Sequence, residues 1–262
     1  MTRPVFLAED LSCVPSSLAV GERATLGGSE GRHAASVRRI GAGEWVDVAD
    51  GRGLRLTCEV VGADKSSLSL VVREAVQEES PRPEIILVQA LAKGGRDEAA
   101  VEICTEIGID RVIPWASQRA IVQWRGPKAE KGRAKWEGVV RAAAKQSRRA
   151  YVPVVEAVTD SRELASWVRA LTDEAGAAFV CHEEATQSLG AALARVQGDA
   201  TDGFLPARVA LIVGPEGGIG PEETAQLVAA GARTVSLGAN VLRSSTAGAV
   251  ALTLIRAAAG AY

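Results

Sequence analysis

From residue 84 onward the chain alternates apolar runs with helical patterns, and this rhythm restricts the fold more than any other feature. "EIILVQAL" is a nearly continuous apolar run, interrupted only at Gln89 after its first residue, the kind found in a strand buried on both faces of a parallel sheet. "RVIPWA", "VPVVEAV", "AAFVCHE", "RVALIVG" and "RTVSLG" are further strand candidates. Between them, "GRDEAAVEICTEIG" carries Val101 and Cys104 at helical spacing and stops at Gly108. More helices are expected at about 133–148, 161–171, 221–230 and 244–259. Such alternation specifies an α/β domain with a mostly parallel sheet.

Upstream the pattern is shorter and richer in turns. "EWVDVADGRGLRLTCEVVGADKSSLSLVV" reads as three strands, split at Asp50-Gly51 and at "GADKSS". "SEGRHAASVRRI" reads as one short helix, with Ser29 a candidate N-cap. Together these predict a small β-barrel or half-barrel. "QEESPRPE" reads as a linker. The expected organisation is a domain over 1–76, a linker over 77–83 and a second domain over 84–262.

Composition narrows the chemistry. The four cysteines are scattered, with no C-x-x-C pair, and read as buried thiols in a reducing cytosol. His33 and His182 lie far apart in sequence, so no metal is expected. The start lacks a signal-peptide pattern, and no apolar run approaches the roughly 18 residues of a membrane span. A cytoplasmic protein without a membrane partner is therefore expected. Net charge is −2, yet residues 111–149 hold eleven Lys/Arg against two acids. That stripe is either a polyanion site or a solvated helix face with a basic loop.

The motif with most chemical content is "LIVGPEGGIGPEE" at 211–223, an apolar strand entering a glycine turn and a helix start. Gly214, Gly217, Gly218 and Gly220 let a ligand approach the backbone. A phosphate there would meet Glu216, Glu222 and Glu223, and the P-loop lysine is missing. The turn therefore either wraps an uncharged or cationic group or is purely structural. A second strand end, "VSLGANVLRSSTAGAVAL", places Gly238 at an irregular turn and Arg243 just before a helix. Two such turns at the carboxyl ends of strands are where α/β proteins bind ligands.

"LIVGPEGGIGPEE" and "VSLGANVLRSSTA" together resemble the closing motifs of SPOUT methyltransferases. More narrowly, the chain resembles the ribosomal RNA small-subunit methyltransferase E family. "VFLAEDL", "HAASVRRIGAGEWVDVADGRG", "QALAKGGRDEAAVEICTEIGIDRVIPWASQRAIVQW" and "AAAKQSRRAYVP" extend the likeness along nearly the whole chain. The resemblance implies a PUA-like β-barrel, then an α/β domain whose C-terminal segment is tied in a trefoil knot. It implies a homodimer that binds S-adenosylmethionine and methylates N3 of a specific uridine, of the uridine 1498 type, in 16S rRNA of the small ribosomal subunit.

On the same basis the cofactor would be held by Val213, Gly214, Pro215, Glu216, Gly217 and Gly218, with Leu237, Gly238, Val241 and Leu242. Arg243 is the expected stabiliser of charge on the uracil oxygens, or else a salt bridge closing the knot. His182 is a cofactor contact, a base or a core histidine. RNA contacts are expected from His33, Arg39, Arg119, Arg125 and Arg149, with dimer packing the alternative for His33 and Arg39. Ser245 stands where the family has a glutamate, so a base role there does not carry over. That departure keeps a second reading open, a non-catalytic RNA-binding or assembly factor.

Overall fold

The structure is a computed structural model and describes residues 3–80, 82–200 and 202–261. The chain divides into two compact units, Met1–Ser80 with Ala144–Val152, and Pro81–Ala143 with Pro153–Tyr262.

The first unit is built on five strands: β1 (Val5–Leu7), β2 (Arg23–Leu26), β3 (Trp45–Ala49), β4 (Leu54–Ala63) and β5 (Leu68–Gln77). They form one sheet in the order β1-β3-β4-β5-β2, with β1 parallel to β3 and the other pairs antiparallel. Leu56, Cys58 and Val60 on β4, and Leu68, Leu70 and Val72 on β5, alternate inward onto Phe6, Leu26, Val46 and Val48. Register shifts at Thr57/Cys58 and Val60/Gly62 bend the long β4–β5 hairpin. The sheet is a curled half-barrel, one of the two forms that the strand pattern predicts.

Helix α1 (Gly28–Arg32) starts from Gly27, not from Ser29. Ser29 Oγ instead donates to Asp10 Oδ2 at 2.9 Å, and the same oxygen accepts the Glu30 N–H at 2.9 Å. A carboxylate from another segment thus does the capping, which local sequence does not reveal. The helix runs on into a π-helical turn, His33–Val37.

Residues 144–152 fold with this unit, although the sequence reading assigns them to the second domain. Lys145 Nζ donates to both Glu30 oxygens at 2.7 and 2.9 Å. Arg55 Nη2 donates to the Arg148 carbonyl at 2.9 Å, and Tyr151 Oη to the Glu78 carbonyl at 2.8 Å. These partners are distant in sequence, so no linker composition announces them.

The second unit contains β6 (Glu84–Ala90), α2 (Arg96–Ile107), β7 (Arg111–Trp115), the main part of α3 (Pro127–Gln146), β8 (Val154–Val155) and α4 (Ser161–Asp173). It continues with β9 (Ala177–Cys181), α5 (Leu189–Asp199), β10 (Arg208–Val213), α6 (Pro221–Ala229), β11 (Arg233–Val235) and α7 (Ser244–Ala258). The six strands form a wholly parallel sheet in the order β11-β9-β10-β6-β7-β8. Ile86, Val88, Ala90, Ala210 and Ile212 pack against Leu164, Val168 and Leu171 of α4 and Leu227 of α6. On the opposite face Gly248 of α7 lies against Leu87, Val213 and Cys104 of α2. The result is the α/β layering that the apolar runs predict. Among the described residues no helix is long and apolar enough to cross a membrane.

Candidate active site

Parallel pairing sets Gln89, Val213, Cys181 and Val235 side by side, each at or next to the carboxyl end of its strand. The loops that follow β6, β10, β9 and β11 therefore leave the sheet along one edge, together with the loop after β7. This is the edge at which α/β sheets bind ligands.

The glycine turn after β10 is fixed from three directions. A Cβ on Gly214 would lie 2.6 Å from Ile219 Cγ1, so the turn closes onto buried Ile219 only if position 214 has no side chain. Glu223, wholly buried in the first turn of α6, accepts from the Gly220 N–H at 3.2 Å, the Gln118 N–H at 2.9 Å and the Ser161 hydroxyl. One carboxylate thereby joins the starts of α6 and α4 to the loop after β7. Glu216 accepts from the Lys93 N–H at 3.2 Å and from Arg96 Nη1 at 3.1 Å. The acid among the glycines is taken by the loop after β6, not held out for a ligand. Arg119, an expected RNA contact, donates from Nη1 to the Gly217 carbonyl at 3.2 Å and holds the turn from its other side.

A cavity opens next to this turn, lined by Cys181, His182 and Glu183 after β9, by residues 236–242 after β11, and by Ala247 of α7. It brings together the expected residues His182, Leu237, Gly238, Val241 and Leu242. Gly238 has φ +131° and nothing within 4 Å of the position a Cβ would take, so its backbone faces open space. Val213, Gly214, Pro215, Glu216, Gly217 and Gly218 do not line the cavity. Their turn reaches its wall at Gly218, where a Cβ would lie 3.6 Å from Glu183 Oε1. Neither lysine nor arginine lines the cavity, whereas a carboxylate, an imidazole and turn backbone do. That donor set suits a ligand with neutral and cationic parts and disfavours a phosphate.

His182 Nδ1 accepts from the Glu184 N–H at 3.2 Å, which assigns the proton of the neutral ring to Nε2. The ring thus offers the cavity a hydrogen-bond donor, and its acceptor nitrogen is spoken for. Arg243, exposed just before α7, gives its carbonyl to the Thr246 and Ala247 N–H groups at 2.8 and 2.9 Å. Its guanidinium enters no ion pair among the described residues. Arg243 stands one turn ahead of cavity-lining Ala247 without lining the cavity itself. Burial pushes the thiols of Cys104 and Cys181 up to about 12, so both stay protonated, Cys104 in the core and Cys181 at the cavity wall. All four cysteines are free, but Cys13 and Cys181 are only half-buried, unlike the uniformly buried set expected.

The remaining expected RNA contacts are dispersed. His33 is half-buried and meets the Phe6 ring edge-on at 6.5 Å. Arg39 and Arg125 are exposed, and Arg149 lies in the segment that folds with the first unit. Much of the basic stripe is neutralised internally. Arg111 pairs with Glu84 and Glu156, Arg133 with Glu137, Lys135 with Glu98 and Lys145 with Glu30. Arg125, Lys128 and Lys131 enter no ion pair among the described residues. Glu183, Ser236 and Asn240 were not foreseen as lining residues; their sole sequence signal is their position next to strand ends.

Residues 78–256 match the RNA methyltransferase domain family, and residues 26–73 match the RNA methyltransferase PUA domain family. The ribosomal RNA small subunit methyltransferase E of Mycobacterium bovis is 42% identical over 232 residues, covering 88% of this chain and 85% of the relative. The chain belongs to the ribosomal RNA small subunit methyltransferase E family. Its Bacillus subtilis member is 28% identical over 229 residues, 87% of either chain. The Neisseria gonorrhoeae member, solved bound to S-adenosyl methionine, superposes with a TM-score of 0.80 at 25% identity, over 98% of both chains.

Proposed function

We propose that this chain methylates N3 of a uridine in 16S rRNA of the small ribosomal subunit, with S-adenosylmethionine held in the cavity after β9 and β11. The observation that carries this reading is the make-up of that cavity. A carboxylate and open glycine backbone line it and no cation does, in a chain whose family is defined by RNA methyl transfer. S-adenosylmethionine supplies a methyl group activated by a sulfonium. Backbone groups at Leu237, Gly238 and Leu242 would hold the neutral parts of that ligand, Glu183 would favour its cationic part, and His182 Nε2–H would donate to an acceptor on it. The turn at 214–218 would act from behind by fixing the wall.

The rest of the chemistry belongs to positioning and electrostatics. Loss of the N3 proton leaves negative charge on the uracil oxygens. Arg243, without an ion pair among the described residues and fixed by its backbone at the start of α7, would place a planar guanidinium against that charge. His182 is a donor in this scheme and not the base. A homodimer, a cytoplasmic location and a knotted C-terminal segment belong to the same proposal. They are supported by the likeness of the two strand-end motifs to SPOUT proteins.

Calorimetry with S-adenosylmethionine tests the site. Gly238→Leu should abolish binding, because a side chain would be forced into a backbone conformation it rarely adopts and would fill the open space of the cavity. Wild-type affinity in a folded Gly238→Leu protein would remove the cavity from the account.

A further inference from the structure

Methyl transfer to uridine N3 needs a proton acceptor. The N3 proton is weakly acidic and lies in the plane of the ring. When it leaves, the electron pair left on N3 points along the same line, and the methyl group must arrive on that line. The proton therefore goes first, to an acceptor on the cofactor's side of the base. A carboxylate in the cofactor cavity meets that requirement, and Ser245 leaves the first turn of α7 without one.

The titratable side chains lining the cavity are Cys181, His182 and Glu183. Cys181 keeps its own proton, because burial pushes the thiol up to about 12. His182 already uses its acceptor nitrogen on the Glu184 N–H at 3.2 Å. The Glu183 carboxylate is exposed and enters no hydrogen bond or ion pair among the described residues. Other acids along this edge are committed or misplaced. Glu216 holds the Lys93 N–H and Arg96, and Glu223 holds Gly220, Gln118 and Ser161. Asp97 accepts from the Ala92 N–H at 3.1 Å and the Glu98 N–H at 2.9 Å. Glu184 and Glu222 are exposed, but neither lines the cavity. Glu183 also stands where two loops meet. Its Oε1 lies 3.6 Å from the position a Cβ on Gly218 would take, and Arg119 Nη1 lies 3.9 Å from the same point. Its charged and titratable neighbours are thus Arg119 across the glycine turn, with Cys181, His182 and Glu184 beside it. Residues 236–242 and Ala247 bring no charge to the cavity.

We infer that Glu183 takes the N3 proton of the target uridine. The inference rests on the functional reading above and adds a catalytic residue that the resemblance does not supply. The N3–H bond breaks, the proton passes to a Glu183 oxygen, and the electron pair stays on the ring, spread onto the uracil oxygens. That pair then forms the bond from N3 to the methyl carbon. The carbon–sulfur bond breaks as it does so, and its electrons turn the sulfonium into a neutral thioether. Glu183 finally returns the proton to solvent. Favouring the cofactor's cationic part and taking this proton call for the same position, at the side from which the methyl group comes.

The test follows single-turnover methylation of small subunits lacking the modification, with the full chain and saturating S-adenosylmethionine, from about pH 6.5 to 8.5. The wild-type rate should be nearly level across this range. Glu183→Gln should be slower by roughly 10²–10⁴-fold at neutral pH, the usual share of a general base. Its rate should climb about tenfold per pH unit, because hydroxide then has to remove the proton. Glu183→Asp, a shorter carboxylate, should bring back the level profile at a reduced rate. Calorimetry should show the glutamine variant losing far less S-adenosylmethionine affinity than rate. A glutamine variant as fast as the wild type, or slower with a level profile, would refute the role of Glu183 and leave the functional reading standing. Cofactor affinity lost in step with the rate would do the same, by making Glu183 a cofactor ligand alone. A wild-type rate that itself climbs about tenfold per pH unit would assign the proton to hydroxide and overturn the inference. A wild-type protein that does not bind S-adenosylmethionine would overturn the functional reading and this inference with it.

Discussion

Residue by residue, the structure separates groups that face the cavity from groups that build it. Glu216, the acid among the glycines, is occupied by the Lys93 N–H and by Arg96, so its role is to hold two loops together. Sequence cannot distinguish that use from ligand binding, because the partners lie about 120 positions away. Gly217 shows the same limit, since a side chain there would press on Arg119 at 3.4 Å and not on the cavity. Arg243 is the reverse case. Its place before the last helix is readable, and the guanidinium is free of ion pairs among the described residues. Arg243→Ala should slow single-turnover methylation by roughly 10²–10³-fold, the usual loss for one charge-stabilising donor, with cofactor affinity nearly intact. Lysine at 243 should restore part of the rate, as it lacks the planar fork. Equal losses of rate and cofactor affinity would make Arg243 a structural residue.

At the level of elements, strands are readable where burial on both faces forces a nearly unbroken apolar run, as in β6 and β10. Helices are readable where their apolar stripe is strong. Helix α5 is missed although its apolar stripe is no weaker than those of α6 and α7. Helix α3 starts at Pro127, earlier than its pattern suggests, because Gly132 looks like a break. That glycine is a seat for Trp124, whose ring would lie 2.3 Å from a Cβ there. The junction that most governs the site, at Glu223, is invisible in sequence, since a glutamate in the first turn of a helix normally faces water. Here it satisfies donors from Gln118, Gly220 and Ser161. Glu223→Ala should leave these donors unpaired and cost about 3 kcal/mol. Thermal unfolding should show this as a fall of roughly 6–12 °C. Glu223→Gln, which keeps an acceptor of the same shape, should lose less. A melting curve unchanged by alanine would show that the junction does not stabilise the site.

For the whole molecule, the two-unit organisation follows from the change of pattern near residue 80, but the return of residues 144–152 to the first unit does not. A chain cut to 82–262 keeps β6–β11 and the cavity, yet it strips Lys145 of Glu30, the Arg148 carbonyl of Arg55, and Tyr151 of the Glu78 carbonyl. Such a chain should bind S-adenosylmethionine in calorimetry but methylate poorly and melt below the full protein. Full activity in the truncated chain would show that the first unit contributes nothing to substrate handling. The central claim, methyl transfer to uridine N3 of the small-subunit RNA, is tested most directly by locating the methyl group. Small subunits lacking the modification would be incubated with the protein and methyl-labelled S-adenosylmethionine. Their 16S rRNA would then be digested to nucleosides and analysed by mass spectrometry. The account predicts label in 3-methyluridine, about one per 16S rRNA. Label at another atom, or bound cofactor with no methyl transferred, would contradict it.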